Sequence, residues 1–593
     1  MRRGPAIVAC LLAVLTLAVP AHAETRSRDL RVATTTKIDT LNPLVGQLAA
    51  EYRVWALNYD ILIGFDRKTM RPDTRNSLAQ SWEASDDGLT FTYHLRPNLR
   101  WSDGQPLTAN DVVWTMNFMK KWSAPNSVEA VKSWHAKNAT TVVARLKHRS
   151  VEMTSLWIYI LPEHVWRTAN TKDWEHFSPP LPLVGSGPYT VTHWNPNGTT
   201  VMERNPYFRR AASVTGPQRV LMTFYGHGAA TDLQQNRLDV MPSDTLDVQD
   251  TQRLQRTSGV RVYRSPPIGL EYWVFNLAQH VTSRVHKSVV QSRAIRTALA
   301  WAIDRSALVK ASLFGYGAPG NTQLSRSYGR FSLDLSSDPV LGYHYDPPRA
   351  RRILDQAGWR VGPGGVRVKD GQKAEFELAY AGEATEKRAV TLIRAWARDV
   401  GIQIDVRVYD TDKLINLEFN KDGKVLTPDF DTEIWSIGGD PTPEFLLSLF
   451  TKAQIGVWND SGFVNRTYDR LYQQELSAPT DDARVVAVHQ LQRIATKQLP
   501  YIELYEADDL GAVNTRTWKN WTTQPSPDGQ PITSYGYDTI IALRPGALAS
   551  SSYPGVWWAL GALGILGALA LGSSFIAHRR EQREPIELPG APA

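Results

Sequence analysis

The sequence predicts an α/β ectodomain of two or three lobes, exported from the cytoplasm and held on a membrane by one C-terminal helix. Three observations carry this. Runs of period-two alternation are interleaved with runs of helical apolar spacing. Residues 24 to 552 are too many for one ordinary core. Each end of the 593-residue chain carries an apolar segment of its own.

At the N-terminus, Arg2 and Arg3 precede an apolar stretch from Ala6 to Pro20, and Ala21-His22-Ala23 forms a small-x-small cleavage site before Glu24. This is the pattern of a signal peptide over 1–23, so the mature chain is expected outside the cytoplasm, at the cell surface or in a periplasm. The single cysteine, Cys10, lies inside that segment, which leaves the mature chain no disulfide or thiolate chemistry. Lipidation of Cys10 would leave too short an apolar stretch before it.

In chain order, "DDGLTFTYHLR" alternates Leu89, Phe91, Tyr93 and Leu95 with polar residues after an Asp87-Gly88 turn, which predicts a half-buried strand. Thr108 and Asp111 in "LTANDVVW" form a capping box that opens a helix, with Leu107 placed to staple against Val112. "YTVTHWNPNGTTVMERN" predicts a hairpin about Asn197-Gly198. A helix over 292–309 carries Ile295, Leu299, Ala302 and Ile303 along one side. A second helix runs from the cap Asp346 and Pro347 to Gln356, ended by Gly358. "EFELAY" at 375–380, "EKRAVTLIRAWARDV" at 386–400 and "GIQIDVRVYD" at 401–410 read strand, helix, strand, which implies a right-handed crossover and a parallel pair.

Val556 to Ala577 is an uncharged run of 22 residues, enough to cross a hydrocarbon core of ~30 Å. With its flank, the span is expected at 553–577. Trp557 and Trp558 mark the outer interface, and His578-Arg579-Arg580 with Arg583 place the tail 578–593 in the cytoplasm.

The net charge is +7, and no basic block is denser than Arg349 to Arg352. Nucleic acid, which requires basic strips along its backbone, is excluded as a partner. "GYGAPG" at 315–320 matches a dinucleotide fingerprint in letters but follows a helix and contains Pro319. "GSG" at 185–187 is no nucleophile elbow. No His-Glu-x-x-His, Cys-x-x-Cys or calcium-loop spacing occurs, so no metal site, catalytic residue or cofactor is assigned.

Four blocks resemble, in order, the family 5 extracellular solute-binding proteins: residues 78–114 (from "LAQSWEASDDG" to "TANDVVW"), 185–208 ("GSGPYTVTHWNPNGTTVMERNPYF"), 292–309 ("SRAIRTALAWAIDRSALV") and 349–359 ("RARRILDQAGW"). The match extends from about residue 29 to about 545. It implies a two-lobed, periplasmic-binding-protein-like α/β fold with an extra subdomain in lobe I. Lobe I would comprise 24–274, with a subdomain inserted at about 70–200, and a return at 505–546. Lobe II would comprise 275–504. The resemblance further implies a monomeric, non-enzymatic receptor. By hinge closure it would capture a peptide, or a similar small solute, and pass it to an ABC permease with its ATPase subunits.

Peptide-binding members pair an Asp of a Trp-x-x-Asp-Tyr-x-x-Pro stretch with the ligand's amino group. The corresponding segment here is "WSIGGDPTPEF", in which Gly439 falls where the acid would be and Asp440 stands one step later. The implied ligand-binding residues are Trp435 as an apolar wall, Gly438 and Gly439 as close backbone, and Asp440 as a cation anchor. Tyr272 and Asn276 of "GLEYWVFN" and Asn42 of "DTLNPL" are the secondary candidates. Other readings are another solute, such as an oligosaccharide or metal chelate, a ligand sensor, or a tethered hydrolase. The short tail leaves a sensor no signalling domain, and a hydrolase needs a nucleophile or paired carboxylates.

Overall fold

A computed structural model describes residues 29–546, apart from 47, 123–128, 170–172, 244, 279, 282–283, 286–287, 419–420, 423–424 and 427. The expected signal peptide, membrane span and cytoplasmic tail lie outside the described residues. Among the described residues no helix is long and apolar enough to cross a membrane.

Two mixed sheets organise the chain. The first lobe holds seven strands in the order Val260–Ser265, Asp509–Asn514, Val240–Met241, Asp29–Thr34, Arg219–Phe224, Thr199–Arg204 and Tyr189–His193. Its last two strands are the hairpin expected about Asn197-Gly198, paired antiparallel from Tyr189 opposite Arg204. Strand Thr90–Leu95 belongs to a separate four-stranded sheet with Ala79–Ala84, Thr141–Leu146 and Val131–Asn138. Phe91, Tyr93 and Leu95 turn inward, as the alternation requires. Beside this sheet lies the helix Ala109–Trp122, where the Asp111 carboxylate accepts from the Thr108 N–H at 2.8 Å and closes the expected capping interaction.

The second lobe holds six strands, Gly317–Pro319, Tyr501–Ala507, Leu270–Phe275, Thr432–Ile437, Glu375–Tyr380 and Gln403–Val408. The last two are parallel, with Glu375 opposite Gln403, and the helix Ala384–Asp399 connects them, as the strand-helix-strand pattern requires. The helix expected over 292–309 is two helices, Arg293–Ala302 and Arg305–Ser312. Ile303 is extended between them, and Asp304 caps the second by accepting from the Ala307 N–H at 2.8 Å. An apolar stripe that continues through Asp304 hides this break, because Asp serves both as a helix residue and as a cap. The helix Pro347–Gln356 has its predicted cap, with Asp346 accepting from the Arg349 N–H at 2.8 Å. Gly358 follows at φ +87°, a conformation that favours glycine.

The chain changes sheets twice, between Ser265 and Leu270 and between Ala507 and Asp509, where the sequence reading set lobe boundaries at 274/275 and 504/505. The crossing segments are antiparallel partners on both sides: Ser265 lies opposite Asp509 in one sheet and Glu271 opposite Tyr505 in the other. Asp508, between the sheets, accepts from Arg264 Nε of the first lobe at 2.5 Å and also pairs with Arg326 of the second. The hydroxyls of Ser325 and Ser327 both donate to the Pro267 carbonyl at 2.6 Å. After the second crossing the chain packs back on the first lobe, where Tyr537 donates to Asp60 at 2.8 Å.

Candidate ligand cleft

Strand Thr432–Ile437 lies inside the second sheet and emerges as Gly438-Gly439-Asp440 before the helix Glu444–Ser448. Two tyrosines pin the emerging loop. Tyr535, from the segment that returned to the first lobe, donates to the Gly439 carbonyl at 2.7 Å, and Tyr328 of the second lobe donates to the Asp440 carbonyl at 2.8 Å. Gly439 sits so close to the first crossing that a Cβ there would meet the Tyr328 hydroxyl at 2.3 Å and the Ile268 carbonyl at 2.6 Å. Gly438, in contrast, is exposed, with nothing within 4 Å of an added Cβ. The two glycines therefore differ: the second permits close packing of the hinge, and the first leaves the strand end open.

Asp440 faces aromatic side chains of the first lobe. Tyr535 lies 4.8 Å from Trp157 between ring centroids, and Trp157 lies 5.6 Å from Tyr52. Trp157 Nε1 donates to the Tyr159 hydroxyl at 3.3 Å, which fixes both rings. Burial pushes the hydroxyl pKa values of Tyr52, Tyr159 and Tyr535 up, and the nearby Asp440 charge adds to each. Asp440 itself is only partly accessible. Its carboxyl is pushed up to about 7, first by desolvation and then by the charge of Glu444. Among the described residues its side chain has no hydrogen-bond or ion-pair partner, so the loop holds a carboxylate that the protein does not neutralise.

The lobes also meet around a cavity of about 50 Å³. Pro43 to Gly46, Tyr52, Trp157 and Tyr159 line it from the first lobe, and Val457 and Trp458 from the second. Next to it Val151 of the first lobe packs on the second lobe's core, and Glu152 brings a carboxyl close to Glu444 and Glu475. Arg484 is the counter-charge for the latter two: it donates to Glu475 at 2.6 Å and also to Glu444. Burial, followed by the charges of Glu444 and Glu152, lifts the Glu475 carboxyl to about 8 against the pull of Arg484. Burial, reinforced by Glu444, lifts Glu152 to about 7.

Of the residues singled out in the sequence, the structure brings Gly438, Gly439 and Asp440 together at the strand end, with Trp435 three residues back and half-buried. Trp435 lies opposite Tyr272 and packs on the same core. The other three have their polar groups engaged by protein. Tyr272 is 1% exposed, stacks on Tyr501 at 4.1 Å and donates to Asp460 at 3.3 Å. Asn276 is buried, donating to the carbonyls of Pro428 and Phe430 and accepting from the Ala278 N–H. Asn42 donates to the Trp174 carbonyl at 2.9 Å and accepts from the Leu44 N–H, and so shapes the loop whose next residues line the cavity. The aromatic wall of Tyr52, Trp157, Tyr159 and Tyr535 escaped the sequence reading. Its members lie far apart in the chain and are embedded in apolar runs that read equally well as core.

No group of three or more His, Cys, Asp or Glu side chains suited to a metal occurs among the described residues. A model of the bacterial extracellular solute-binding proteins, family 5, middle region, matches residues 73–456. Protein XP55 of Streptomyces lividans is 27% identical over 498 residues, which cover 82% of this chain and 84% of that one. The oligopeptide-binding protein AppA of Bacillus subtilis, solved with a nonapeptide, superposes with a TM-score of 0.74 at 20% identity, over 88% of this chain and all of that one. NikZ of Campylobacter jejuni, solved with Ni(L-His), has a TM-score of 0.74 at 20% identity, over 87% of this chain and 99% of that one.

Proposed function

We propose, for a chain that belongs to the family 5 bacterial extracellular solute-binding proteins, that the cleft around Asp440 captures a peptide or related solute through its amino group and hands it to an ABC permease. The family consists of receptors rather than enzymes, and this chain is the extracytoplasmic substrate-binding protein of an ABC importer. One observation carries the finer reading: Asp440 presents an unneutralised carboxylate between the lobes, opposite a wall of aromatic rings. An ammonium group is the complement of such a carboxylate, and the rings supply apolar contact and cation–π attraction. Gly438 leaves the strand end beside it open, where ligand backbone can approach, while Gly439 lets the hinge pack closely behind it. Trp435, half-buried on the same strand, packs on the second lobe's core. Asn42, Tyr272 and Asn276 act at one remove, by holding the loops and strands that shape the cleft.

The chemistry is capture and release. A cavity of about 50 Å³ holds only a small group, so a peptide enters with the lobes apart, and closure then removes it from water. A few hydrogen bonds and one ion pair formed in a desolvated cleft suffice for micromolar affinity, about −8 kcal/mol. Native mass spectrometry of the full chain is expected to show one solute bound per chain, released with its mass unchanged. A bound peptide recovered as hydrolysis products would overturn the receptor reading, and complexes formed only with solutes lacking an amino group would overturn the role of Asp440.

The anchor belongs to the same proposal: residues 553–577 span the membrane, with 578–593 in the cytoplasm. The full chain is expected to fractionate with membranes and resist carbonate extraction, whereas a chain ending at residue 552 is released. Extraction of the full chain by carbonate alone would refute the span.

A further inference from the structure

The arginine-dense block at Arg349 to Arg352 has no part in the cleft. In the fold it borders a concavity of about 410 Å³ on the second lobe, walled by the helices Arg293–Ala302 and Pro347–Gln356. Arg293, Arg349, Arg352 and Lys497 converge on this space, and no carboxylate lines it. Among the described residues none of the four is ion-paired, whereas nearby Arg367 and Arg493 hold carboxylates at 2.6 and 3.0 Å.

The arrangement is built rather than incidental. The Arg349 guanidinium lies 3.6 Å over the Trp301 ring and donates to the Pro339 carbonyl at 3.1 Å, so two contacts fix its plane. On the helix that carries Arg293, Arg296 is 4% exposed and donates to main-chain carbonyls of Val290, Gln291 and Gln498. Burial, with the charge of Arg293 adding, lowers the Arg296 pKa to about 10. Around Tyr343, which also lines the space, Arg305, Arg293 and Arg349 oppose the rise caused by burial, against the single acid Glu503. Neither helix has an acidic residue in its first turn, and Arg293 and Arg349 occupy those turns instead. A cation there opposes the helix dipole. The fold thus gathers positive charge around this space, with the capping carboxylate of Asp346 as the counter-charge at the start of the second helix.

We propose that this concavity is a second binding site, separate from the cleft, for a phosphate-bearing anion. Three arginine forks suit the tetrahedral, multiply accepting oxygens of a phosphate better than a planar carboxylate. Thr297 and Gln356 add neutral hydrogen-bonding groups, and Val340, Leu341 and Ile353 give the space an apolar rim. The same chemistry is presented by a free oligophosphate and by a phospholipid headgroup. The site shares no lining residue with the cavity between the lobes.

Calorimetric titration of the full chain in neutral detergent tests this. The probes are pyrophosphate and short-chain phosphatidylglycerol, with short-chain phosphatidylcholine as the zwitterionic control. Saturable one-to-one binding of pyrophosphate, phosphatidylglycerol or both is expected, with phosphatidylcholine inert. Arg293→Gln combined with Arg352→Gln is expected to weaken it more than about tenfold, since each arginine makes charge-assisted hydrogen bonds. Pyrophosphate binding identifies a free phosphate as a competent source, and binding of phosphatidylglycerol alone identifies the headgroup. If the double variant does not fold, Lys497→Gln, a change at an exposed side chain, is expected to weaken binding several-fold. The proposal fails if neither probe saturates, if phosphatidylcholine binds as well as phosphatidylglycerol, or if the folded variant binds undiminished.

Discussion

Asp440→Asn lowers affinity for a peptide with a free amino terminus by about a hundredfold, or ~3 kcal/mol, and for its N-acetylated analogue by less than about threefold. The substitution keeps the shape of the loop, because Tyr535 and Tyr328 hold Gly439 and Asp440 through their main-chain carbonyls. What it removes is the charge. Opposite an ammonium group in a desolvated cleft, the asparagine leaves the ligand's cation buried and unpaired, and that penalty makes up most of the loss. The pH profile supplies a second signature. In the unliganded protein desolvation and Glu444 lift the Asp440 carboxyl to about 7, so below that value it binds a proton that an incoming ammonium must displace. Affinity therefore rises as pH increases toward about 7 and levels off above it, by up to tenfold per unit on the acid side. The Asn variant shows no such slope. Calorimetry with the two ligands across this range checks both statements, and equal losses for free and acetylated peptide would remove Asp440 from the anchoring role.

Arg484→Met destabilises the folded protein by about 3–5 kcal/mol at alkaline pH, because it strips the counter-charge from buried Glu444 and Glu475 while preserving side-chain bulk. The loss shrinks on acidification, and its sign follows from the carboxyls. Burial and neighbouring acids raise Glu475 to about 8 and Glu152 to about 7 in the folded protein, above the ordinary carboxyl range of the unfolded chain. Folding therefore takes up protons between those limits. The stabilising contribution is complete below the ordinary carboxyl range and is lost as pH rises through about 7 to 8. A methionine at 484 exaggerates this dependence, since Glu475 then has protonation as its only relief. Denaturant unfolding at about pH 6 and pH 8.5 is expected to show the larger deficit at the higher pH. An equal deficit at both would mean that Arg484 acts by packing alone.

How much of this was legible in the sequence depended on how local each signal is. Asn197-Gly198, the cap at Asp346 and the strand-helix-strand run over 375–408 involve neighbours in the chain, and their periodicity and turn chemistry carried through to the fold. The break at Ile303 was hidden, because an apolar stripe continues across it and only the backbone shows that Asp304 starts a new helix. The cleft was half legible. The Trp435 to Asp440 segment stood out by resemblance and by its paired glycines. Tyr272, Asn276 and Asn42 stood out as well, yet nothing local distinguishes a polar group aimed at a ligand from one bonded to a carbonyl some 150 residues away. Nor does any nearby residue mark Trp157 and Tyr535 as neighbours beside the Asp440 loop. Their meeting is a property of two chain crossings, not of either segment.

Those crossings have a mechanical consequence. A single connecting strand would let the halves swivel in any direction, but here two strands run side by side and are laced together above and below the joint. Such a ribbon flexes readily across its flat side and resists both shear and torsion, so the swing has essentially one degree of freedom. Asp508 lies between the two sheets at this joint, bonded to Arg264 on one side and Arg326 on the other, so it fastens the two halves where the ribbon passes between them. The pivot can stay fastened while the jaws open, and each return stroke brings Asp440 back to the same rings.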